Sequence, residues 1–282
     1  MTPYFLFPAD WMNERKLDET FRDQATALST AGYNYAVISL ESERITSLHG
    51  YPTPLGKDEM VYRGWMLSET EYDRLIEIVD IYGGNLITSK TSYYITHHIP
   101  NWYALIGDLT APTMYLSNEM IASEEQFPAS VKMAIDGLGW KKFIVKDYVK
   151  SLKTGGGSFL YSCAGSVDIT RVIDDMRKYR GTIEGGICVR KFEEYIPQTE
   201  IRFFVVNGIP YGPKGIDPNI KIIVDNEYYK LAAEVARRIR VPFFSVDIAL
   251  REDLVPRVIE CGDGQVSDLV GWTPEEFAQI WV

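Results

Sequence analysis

The sequence predicts a protein of mixed α/β and α+β architecture, with a small N-terminal lobe followed by a larger region. Two observations carry this prediction. Residues 1–115 alternate short apolar strands with helices, which is typical of a parallel sheet covered by helices. The rest of the chain runs strand, glycine-rich loop, strand, helix, two strands, helix and two strands, an order that fits an α+β unit.

The N-terminal lobe opens with a β-α-β pattern. An apolar run at residues 4–7 predicts a strand, and a helical stretch follows over about residues 17–30. Gly32 ends that helix before a second strand at residues 35–40. Because two strands joined through one helix run in the same direction, this opening predicts a parallel sheet.

A capped helix follows the third strand of this lobe, which we place at residues 59–63. Ser68 and Glu71 have the spacing of a capping box, and the glycine pair after residue 82 ends the helix. A short strand at residues 86–88 completes the lobe.

The second region contains further elements and no internal repeat. Strands are predicted at residues 142–146, 187–192 and 200–206, and helices at residues 169–179 and 227–240. We expect the N-terminal lobe to cover residues 1–115 and a second domain to cover residues 116–282. That domain divides into a small lobe at 116–190 and a C-terminal lobe at 191–282, with a ligand cleft between lobes.

Composition bounds the class of protein. The chain has 282 residues, of which 46% are hydrophobic and 24% charged, as in a soluble globular protein. Its formal net charge of −10 argues against nucleic acid or an anionic membrane as partner. Three cysteines without metal-ligand spacing do not form a disulfide framework, and the N-terminus does not have the pattern of a signal peptide. We therefore expect a cytoplasmic protein.

Two acids near the C-terminus are the most informative residues. Asp247 in FFSVDIAL and Glu260 in RVIECGDG each follow apolar residues of a predicted strand, and REDLVP between them predicts a hairpin loop. A hairpin brings both carboxylates to one cavity, where two like charges need a cation between them. Carboxylate oxygens suit Mg²⁺, which commonly takes one or two of them plus substrate phosphates. The alternative is that both acids are exposed strand ends.

A lysine and a glycine run indicate phosphate binding. Lys146 ends the apolar strand KFIVK, and the loop SLKTGGGS follows within a few residues. Glycines let backbone N–H groups approach a polyphosphate, and a lysine beside them neutralises its charge. The loop does not have the Walker pattern. A flexible surface turn is the alternative interpretation.

The segment ICVRKFEEYIPQTEIRFFVVNG contains two strands with separate roles. The first strand could present backbone groups to an adenine edge. On the second strand, Glu200 and Arg202 lie on one face, where the arginine could clamp the phosphate being transferred. The alternative is a cross-strand ion pair on a solvated face, which contributes little stability.

Taken in order, these residues resemble the ATP-grasp superfamily over nearly the whole chain. Its members use a strand lysine, a glycine loop, a hinge strand and a pair of Mg²⁺-binding acids, here Asp247 and Glu260. The stretches VYRGWMLSETEY and TSYYITHHIPNWYALIGDLTAPTMYL resemble the clade of that superfamily named for two conserved arginines and one lysine. The resemblance implies an ATP-grasp fold, in which two α+β lobes after an α/β lobe grip ATP.

The resemblance also implies roles for individual residues. Nucleotide contacts are expected from Lys146, Lys153, Gly155, Gly156, Gly157, Ser158, Val189, Arg190, Lys191, Phe192, Glu194, Glu200 and Arg202. Lys153 to Ser158 would form a flap over the phosphates, and either Glu193 or Glu194 would lie near the ribose. The implied metal ligands are Asp247, Glu260 and Asp263, and the implied catalytic residues are Arg202, Lys146 and Arg63. Arg190 and Arg202 match the two arginines of the clade, and Arg63 competes for one of those places.

Three positions depart from the family pattern. Gly262 stands where many members have a metal-binding Asn, and Asp263 is the candidate replacement. Ser245 stands where several amide ligases have an arginine, a charge that Arg202 or Lys214 could supply. Arg190 occupies a place where other members often have a hinge acid, so nucleotide preference stays open.

The implied function is an ATP- and Mg²⁺-dependent carboxylate–amine ligase that forms an amide bond through an acyl phosphate. Its substrates would be small-molecule, peptide or protein carboxylates and amines. Candidate acceptor-site residues are Arg63, Trp65, His97, His98, Trp102 and Tyr103. Two alternatives remain: a non-enzymatic ATP-binding assembly chaperone similar to those of eukaryotic initiation factors, and a phosphotransferase.

Overall fold

The computed structural model describes residues 3–46, 59–122, 137–149, 159–162, 178 and 185–281. The expected flap residues Lys153, Gly155, Gly156, Gly157 and Ser158 lie outside these ranges, as does nearly all of the helix predicted at residues 169–179. Within the described residues the strands form three β-sheets.

The first sheet belongs to the N-terminal lobe and has six strands in the order β4-β3-β1-β5-β6, with β2 paired to β1. Its strands are β1 (Tyr4–Asp10), β2 (Asn13–Leu17), β3 (Tyr35–Ser39), β4 (Arg44–Thr46), β5 (Glu59–Tyr62) and β6 (Asn85–Leu86). β1 is parallel to both β3 and β5, and β5 is parallel to β6. The parallel sheet expected from the β-α-β opening is therefore confirmed.

Three helices pack on this sheet: α1 (Arg22–Thr30), α2 (Glu69–Ile81) and α3 (Lys90–His97). The next helix, α4 (Ile99–Ile106), packs in a different cluster, with the third sheet described below. The predicted capping box begins α2. The Ser68 hydroxyl accepts a hydrogen bond from the Glu71 amide at 3.3 Å, and the Glu71 carboxylate accepts one from the Ser68 amide at 2.7 Å. These two bonds satisfy amides at the start of the helix that have no partner within it.

The second sheet is antiparallel, in the order β7-β10-β8-β9. Its strands are β7 (Thr113–Ser117), β8 (Lys142–Asp147), β9 (Phe159–Ser162) and β10 (Gly186–Lys191), and α5 (Asn118–Ala122) follows β7. The strands change sheet close to the predicted boundaries at residues 115 and 190. As limits of domains, these boundaries stay predictions.

The third sheet is also antiparallel, in the order β12-β11-β13-β14. Its strands are β11 (Ile201–Val206), β12 (Ile209–Tyr211), β13 (Phe243–Leu250) and β14 (Pro256–Asp263). The accompanying helices are α6 (Pro218–Ile223), a π-helical segment (Val224–Tyr228), α7 (Tyr229–Ile239) and α8 (Pro274–Ala278). Short 3-10 helices occupy Glu19–Phe21, Gly107–Leu109, Gly264–Val266 and Gln279–Trp281. The predicted acidic hairpin is β13–β14.

Apolar side chains join the third sheet to its neighbours. On one side, Phe244 and Val258 pack in one cluster with Trp102 of α4 and Val235 of α7. On its opposite face, Phe204 and Phe243 share a second cluster with Phe5 and Phe7 of the N-terminal sheet and with Phe277 of α8. Full burial of one such side chain contributes about 1.5–3 kcal/mol. The third sheet is therefore anchored to the N-terminal lobe and to α4 and α7.

No helix in the described parts of the chain has both the length and the apolar character that crossing a membrane requires.

Candidate active site

The two acids singled out in the sequence stand opposite each other. Asp247 of β13 and Glu260 of β14 are direct partners across the antiparallel ladder. Side chains of such partners leave the same face of the sheet with their Cβ atoms about 5 Å apart. The structure therefore brings the two carboxylates together, as the hairpin predicts.

An irregularity in β14 makes this pairing possible. Ile248 pairs with Val258, yet the next residue of β13, Asp247, pairs with Glu260, so that Ile259 is an extra residue in β14. One extra residue on one strand is a β-bulge. Because of it, Ile259 and Glu260 both face the cleft, and Ile259 lines the cavity described below.

Each acid has a cation as its partner. Arg202 of β11 pairs with Asp247 in a bidentate contact, Nε to Oδ1 at 2.7 Å and Nη2 to Oδ2 at 2.5 Å. Lys146 of β8 places Nζ 3.2 Å from Oε2 of Glu260, which links the second sheet to the third. Both cations and both acids are largely buried. This group of four is the charged centre of the site.

Burial and charge act in opposite directions on the pKa values here. Burial lowers the pKa of Lys146, and the nearby Glu260 carboxylate partly restores it. For Arg202, burial lowers the pKa, but the hydrogen bond to Asp247 and the charge of that carboxylate outweigh it, and the net pKa is raised. Burial and the charge of Asp247 raise the pKa of Glu200, which opens to the same cleft. Negative charge is thus concentrated where a cation would be stabilised.

The acid pair offers some, but not all, of the ligands that a divalent metal ion requires. Among the residues with described positions, no three His, Cys, Asp or Glu side chains gather into a ready metal site. Asp247 and Glu260 supply two carboxylates on one face. Mg²⁺ commonly binds through one or two carboxylates and completes its shell with phosphate oxygens and water. The two acids fit such a metal–phosphate arrangement.

A cavity of about 300 Å³ lies beside Lys146, between the second and third sheets. Its lining residues are Ala111, Ile144, Lys146, Arg190, Lys191, Phe192, Glu193, Tyr195, Ile196, Pro197, Gln198, Glu200, Ala249 and Ile259. Five of the residues expected to contact nucleotide are among them: Lys146, Arg190, Lys191, Phe192 and Glu200. An apolar pocket with a few convergent charges is a typical ligand site.

Three expected nucleotide residues with described positions do not line this cavity. Arg202 contacts Asp247 instead, and the other two are Val189 and Glu194. Val189 lies in β10, an inner strand whose residue 189 pairs with Met114 on one side and Val145 on the other. Its backbone groups therefore face neighbouring strands rather than a base. Glu194 is half-exposed and forms an ion pair with Lys142 at 3.2 Å.

Glu193 reaches the cavity instead of Glu194, but its carboxylate has protein partners. It accepts hydrogen bonds from Arg251 at 3.2 Å, from Arg257 at 3.4 Å and from the Tyr195 hydroxyl at 2.7 Å. These contacts fix the loop after β10 against the β13–β14 hairpin. The sequence marks Glu193 and Glu194 equally, and only the fold separates them.

Arg190 is buried at the inner end of the cavity. Its Nη1 donates to the Ile259 carbonyl at 2.6 Å, and its Nη2 donates to the Val258 carbonyl at 3.1 Å and to the Thr110 hydroxyl. Burial lowers its pKa. The guanidinium thus contacts the bulge of β14, which sequence reasoning did not anticipate.

Asp263 was expected as a third metal ligand, and the structure places it elsewhere. Residues three apart on a strand lie on opposite faces, so Asp263 faces away from Glu260. It is fully buried and accepts hydrogen bonds from the Gln265 amide at 3.0 Å and from Thr96 at 3.5 Å. Burial raises its pKa to about 7. Asp263 therefore does not belong to the acid pair.

Arg63 also departs from the expectation that it faces an acceptor substrate. Its guanidinium is buried, donates to Gln24 Oε1 at 2.8 Å and to the Gly264 carbonyl, and stacks over Phe277 at 4.7 Å. Burial lowers its pKa to about 10. These contacts tie the end of β5 to the segment that follows β14.

The other acceptor candidates separate by burial. Trp102 is fully buried in the core between α4 and the third sheet, so it cannot form the wall of an open site. His97 is buried and stacks on Tyr93 at 4.6 Å. Burial lowers the pKa of His98 to about 4. Trp65 remains exposed over 52% of its surface, with its indole nitrogen donating to Asp18.

Tyr103 is the sixth acceptor candidate. Its hydroxyl accepts a hydrogen bond from the Thr113 amide at 3.1 Å, at the start of β7. This bond gives the phenol a structural contact. Of the six candidates, Trp65 is therefore the one with a large exposed surface.

Lys214 is the second candidate, beside Arg202, for the charge missing at Ser245. Its Nζ donates to Gln279 at 2.5 Å, near the end of the chain. Arg202, by contrast, contacts Asp247 directly. The structure thus brings Arg202, and not Lys214, to the acid pair.

Comparison with known proteins identifies the family. Residues 137–280, just over half of the chain, match the model of an ATP-grasp domain, family 3 of the clade named for two arginines and one lysine. The chain belongs to this ATP-grasp family. A comparison of the sequence with curated proteins gives no match.

Solved structures agree on the fold. D-cycloserine synthetase DcsG superposes with a TM-score of 0.64 at 14% identity, covering 98% of this chain and 97% of that one. The ATP-grasp ligase PsnB, complexed with its precursor peptide and AMPPNP, gives 0.59 at 10% identity, covering 99% and 96%. D-alanyl-alanine synthetase A from Vibrio cholerae gives 0.59 at 11% identity, covering 99% and 97%. The predicted ATP-grasp fold is confirmed.

Proposed function

We propose that this chain is an ATP- and Mg²⁺-dependent carboxylate–amine ligase that forms an amide bond through an acyl phosphate. One observation carries the proposal. Asp247 and Glu260 stand as direct cross-strand partners beside a cavity, each paired with a cation from β11 or β8. Buried acids opposed in this way and open to a cleft are what a metal–phosphate complex needs.

ATP would occupy the cavity of about 300 Å³, with its phosphates directed towards Lys146 and the acid pair. When bound, Mg²⁺ neutralises charge on the transferring phosphoryl group. Asp247 and Glu260 would hold it. Their present partners, Arg202 and Lys146, would then be placed to meet phosphate oxygens instead. The protein thus keeps its cations next to the acids until substrate arrives.

Catalysis by such a centre requires positioning more than a protein nucleophile. A substrate carboxylate attacks the γ-phosphate with loss of ADP, and an amine then attacks the acyl phosphate and releases phosphate. Arg202 stabilises negative charge at the reacting phosphoryl group, which replaces the arginine absent at Ser245.

The relatives bound to peptides indicate a substrate class. PsnB is solved with a precursor peptide, and the macrocyclase MdnC from Microcystis aeruginosa with its precursor peptide MdnA. We propose a peptide or amino-acid carboxylate as one substrate and an amine as the other. The lobes at residues 1–115, 116–190 and 191–282, and the cytoplasmic location, are part of this proposal.

A phosphate-release assay tests the reaction. With ATP and Mg²⁺, we expect release of ADP and phosphate only when a carboxylate and an amine are both present. The assay screens amino acids and short peptides in pairs. ADP formation without free phosphate would indicate a phosphotransferase and contradict the ligase.

One observation favours a second candidate, the non-enzymatic ATP-binding chaperone. Gly262 pairs with Ser245 on the cleft face and has no side chain. The β13–β14 hairpin therefore offers two metal ligands, Asp247 and Glu260, where many family members have three. Tight Mg²⁺-dependent ATP binding without turnover on any substrate pair would support this candidate over the ligase.

A further inference from the structure

The bulge in β14 decides on which face of the third sheet Glu260 lies. From Pro256 to Val258 the ladder is regular, with Ile248 opposite Val258. If it continued regularly, Ile259 would face Asp247, and Glu260 would face Val246. Because one step along a strand turns a side chain to the other face, Glu260 would then leave the cleft.

A regular ladder without the bulge would be unfavourable because of the residues on the other face of the sheet. Val246, Val258 and Cys261 belong to the buried cluster packed against α4 and α7. A carboxylate placed there would be buried among apolar side chains, which is strongly unfavourable. The bulge therefore does two things together: it keeps Glu260 opposite Asp247 and keeps the apolar face apolar.

A bulge leaves backbone groups outside the regular ladder, and these groups need partners. Arg190 of the second sheet is the partner of two of these groups: it donates to the carbonyls of Ile259 at 2.6 Å and Val258 at 3.1 Å. The Thr110 hydroxyl donates to the Val258 carbonyl at 2.7 Å and accepts from Arg190. Thr110 and Val258 also form an isolated β-bridge. Two residues far away in the sequence therefore hold the bulge.

We propose that Arg190, together with Thr110, is a positioning residue that fixes the bulge at Ile259 and so keeps Glu260 on the cleft face. The inference rests on the proposed function, because it is the metal role of Glu260 that gives the bulge its importance. Arg190 acts through β14 rather than through the nucleotide. It therefore controls the metal-dependent part of ATP binding.

The first test measures ATP affinity by calorimetry with and without Mg²⁺. Arg190→Met preserves bulk and removes the donors. We expect it to lower the Mg²⁺-dependent affinity about 10- to 100-fold, as loss of a residue that orients a metal ligand does. Affinity for ATP without metal should fall much less, because both Nη atoms of Arg190 already donate to Ile259, Val258 and Thr110. An equal loss with and without Mg²⁺ would show direct nucleotide contact and overturn the inference.

Deletion of Ile259 gives a sharper test, because it removes the extra residue. The ladder is then regular, and Glu260 still stands opposite Asp247 without a bulge to hold. In this background, Arg190→Met should cost no further Mg²⁺-dependent affinity. The same loss in both backgrounds would contradict a role through the bulge.

A readout without ligand separates this inference from the proposed function. Amide hydrogen exchange over residues 256–263 should be faster in Arg190→Met than in the wild type, in the absence of ATP and metal. If the wild type shows no Mg²⁺-dependent ATP binding, the ligase proposal is contradicted. Faster exchange in Arg190→Met would still support the positioning role. Unchanged exchange would overturn the positioning role even if ATP binds.

Matched variants guard against a folding artefact. Arg238→Met is the matched control. Arg238 donates to Asp108, two residues before Thr110, and does not contact the carbonyls of the bulge. We expect unchanged Mg²⁺ dependence. If Arg190→Met does not fold, Thr110→Val removes only one hydroxyl from the bulge and should still lower Mg²⁺-dependent affinity measurably. No loss in Thr110→Val would then count against the inference.

Discussion

Strand β14 carries an acid on each of its two faces, and the two acids are held in different ways. On the cleft face, Glu260 has Lys146 as its partner and Asp247 beside it has Arg202. On the other face, Asp263 is fully buried and accepts hydrogen bonds from neutral donors of Gln265 and Thr96. The difference lies in the charge of the partners.

The comparison shows that burial of an acid does not by itself make a metal site. Asp247 is also almost fully buried, with 5% of its surface exposed, yet a bidentate guanidinium compensates its charge. Asp263 has no such contact among its hydrogen bonds, and burial raises its pKa to about 7. A site for a divalent cation needs carboxylates that lie side by side and face the cleft, which Asp247 and Glu260 do and Asp263 does not.

The largest expected effect comes from neutralising the cleft-face acids. Asp247→Asn and Glu260→Gln should each lower Mg²⁺-dependent ATP affinity by at least about 100-fold, measured by calorimetry. Asp247→Asn should also lower the free energy of unfolding by about 3 kcal/mol, since it leaves Arg202 buried without its carboxylate. As control, Asp225→Asn removes an exposed acid paired with Lys221 and should change neither quantity appreciably. Unchanged ATP affinity in Asp247→Asn and Glu260→Gln would contradict the proposal that these two acids bind Mg²⁺.

The acid of the other face should control the pH dependence of stability. The pKa of Asp263 is raised from 3.8 to about 7, so between these values the folded protein holds a proton that the unfolded chain has lost. Its contribution is fully present below about pH 4 and is lost as the pH rises through 7. From pH 5 to pH 8 the free energy of unfolding should fall by about 3 kcal/mol on this account.

Asp263→Asn isolates this contribution. The fall in stability between pH 5 and pH 8, measured by urea unfolding, should be smaller in the variant, because Asn cannot ionise. Mg²⁺-dependent ATP affinity should stay as in the wild type, in contrast to Glu260→Gln. A loss of metal dependence in Asp263→Asn would break the distinction between the two faces.

A smaller effect is expected from the lysine that pairs with Glu260. Lys146→Met should weaken ATP binding by about 1.5–3 kcal/mol, the range for hydrogen bonds to charged groups, and adenosine binding much less. Calorimetric titrations with ATP and with adenosine measure the difference. Equal losses for both ligands would mean that Lys146 supports the fold and does not contact phosphate.

The smallest effect concerns the hydroxyl beside Asp263. Thr96→Val removes a donor 3.5 Å from the carboxylate and should lower the free energy of unfolding by about 1 kcal/mol. Because that hydrogen bond lowers the pKa of Asp263, its loss should raise this pKa further. The shift would appear as a displacement of the pH–stability curve towards higher pH. A curve unchanged from the wild type would show that Thr96 does not contribute to holding Asp263.

Much of the fold was predictable from local signals. The capping box at Ser68, the β-α-β opening and the acidic hairpin all depend on residues close together in the chain, and the structure confirms each of them. The face of Asp263 could also have been predicted, because residues 260 and 263 have opposite parity on one strand. That error came from matching a family motif without applying the alternation of the strand.

The sequence alone determined that two acids meet at a hairpin, that Lys146 and Arg202 are candidate phosphate-binding cations, and that the chain has the order of an ATP-grasp protein. Only the tertiary structure showed that these two cations pair with the two acids. Only the tertiary structure decided where the bulge lies, which arginine holds it, and that Glu193 rather than Glu194 reaches the cavity. The physical reason is the range of the interactions. Alternation and capping act over a few residues, whereas the bulge depends on donors from Arg190 and Thr110, brought to β14 by the packing of separate sheets.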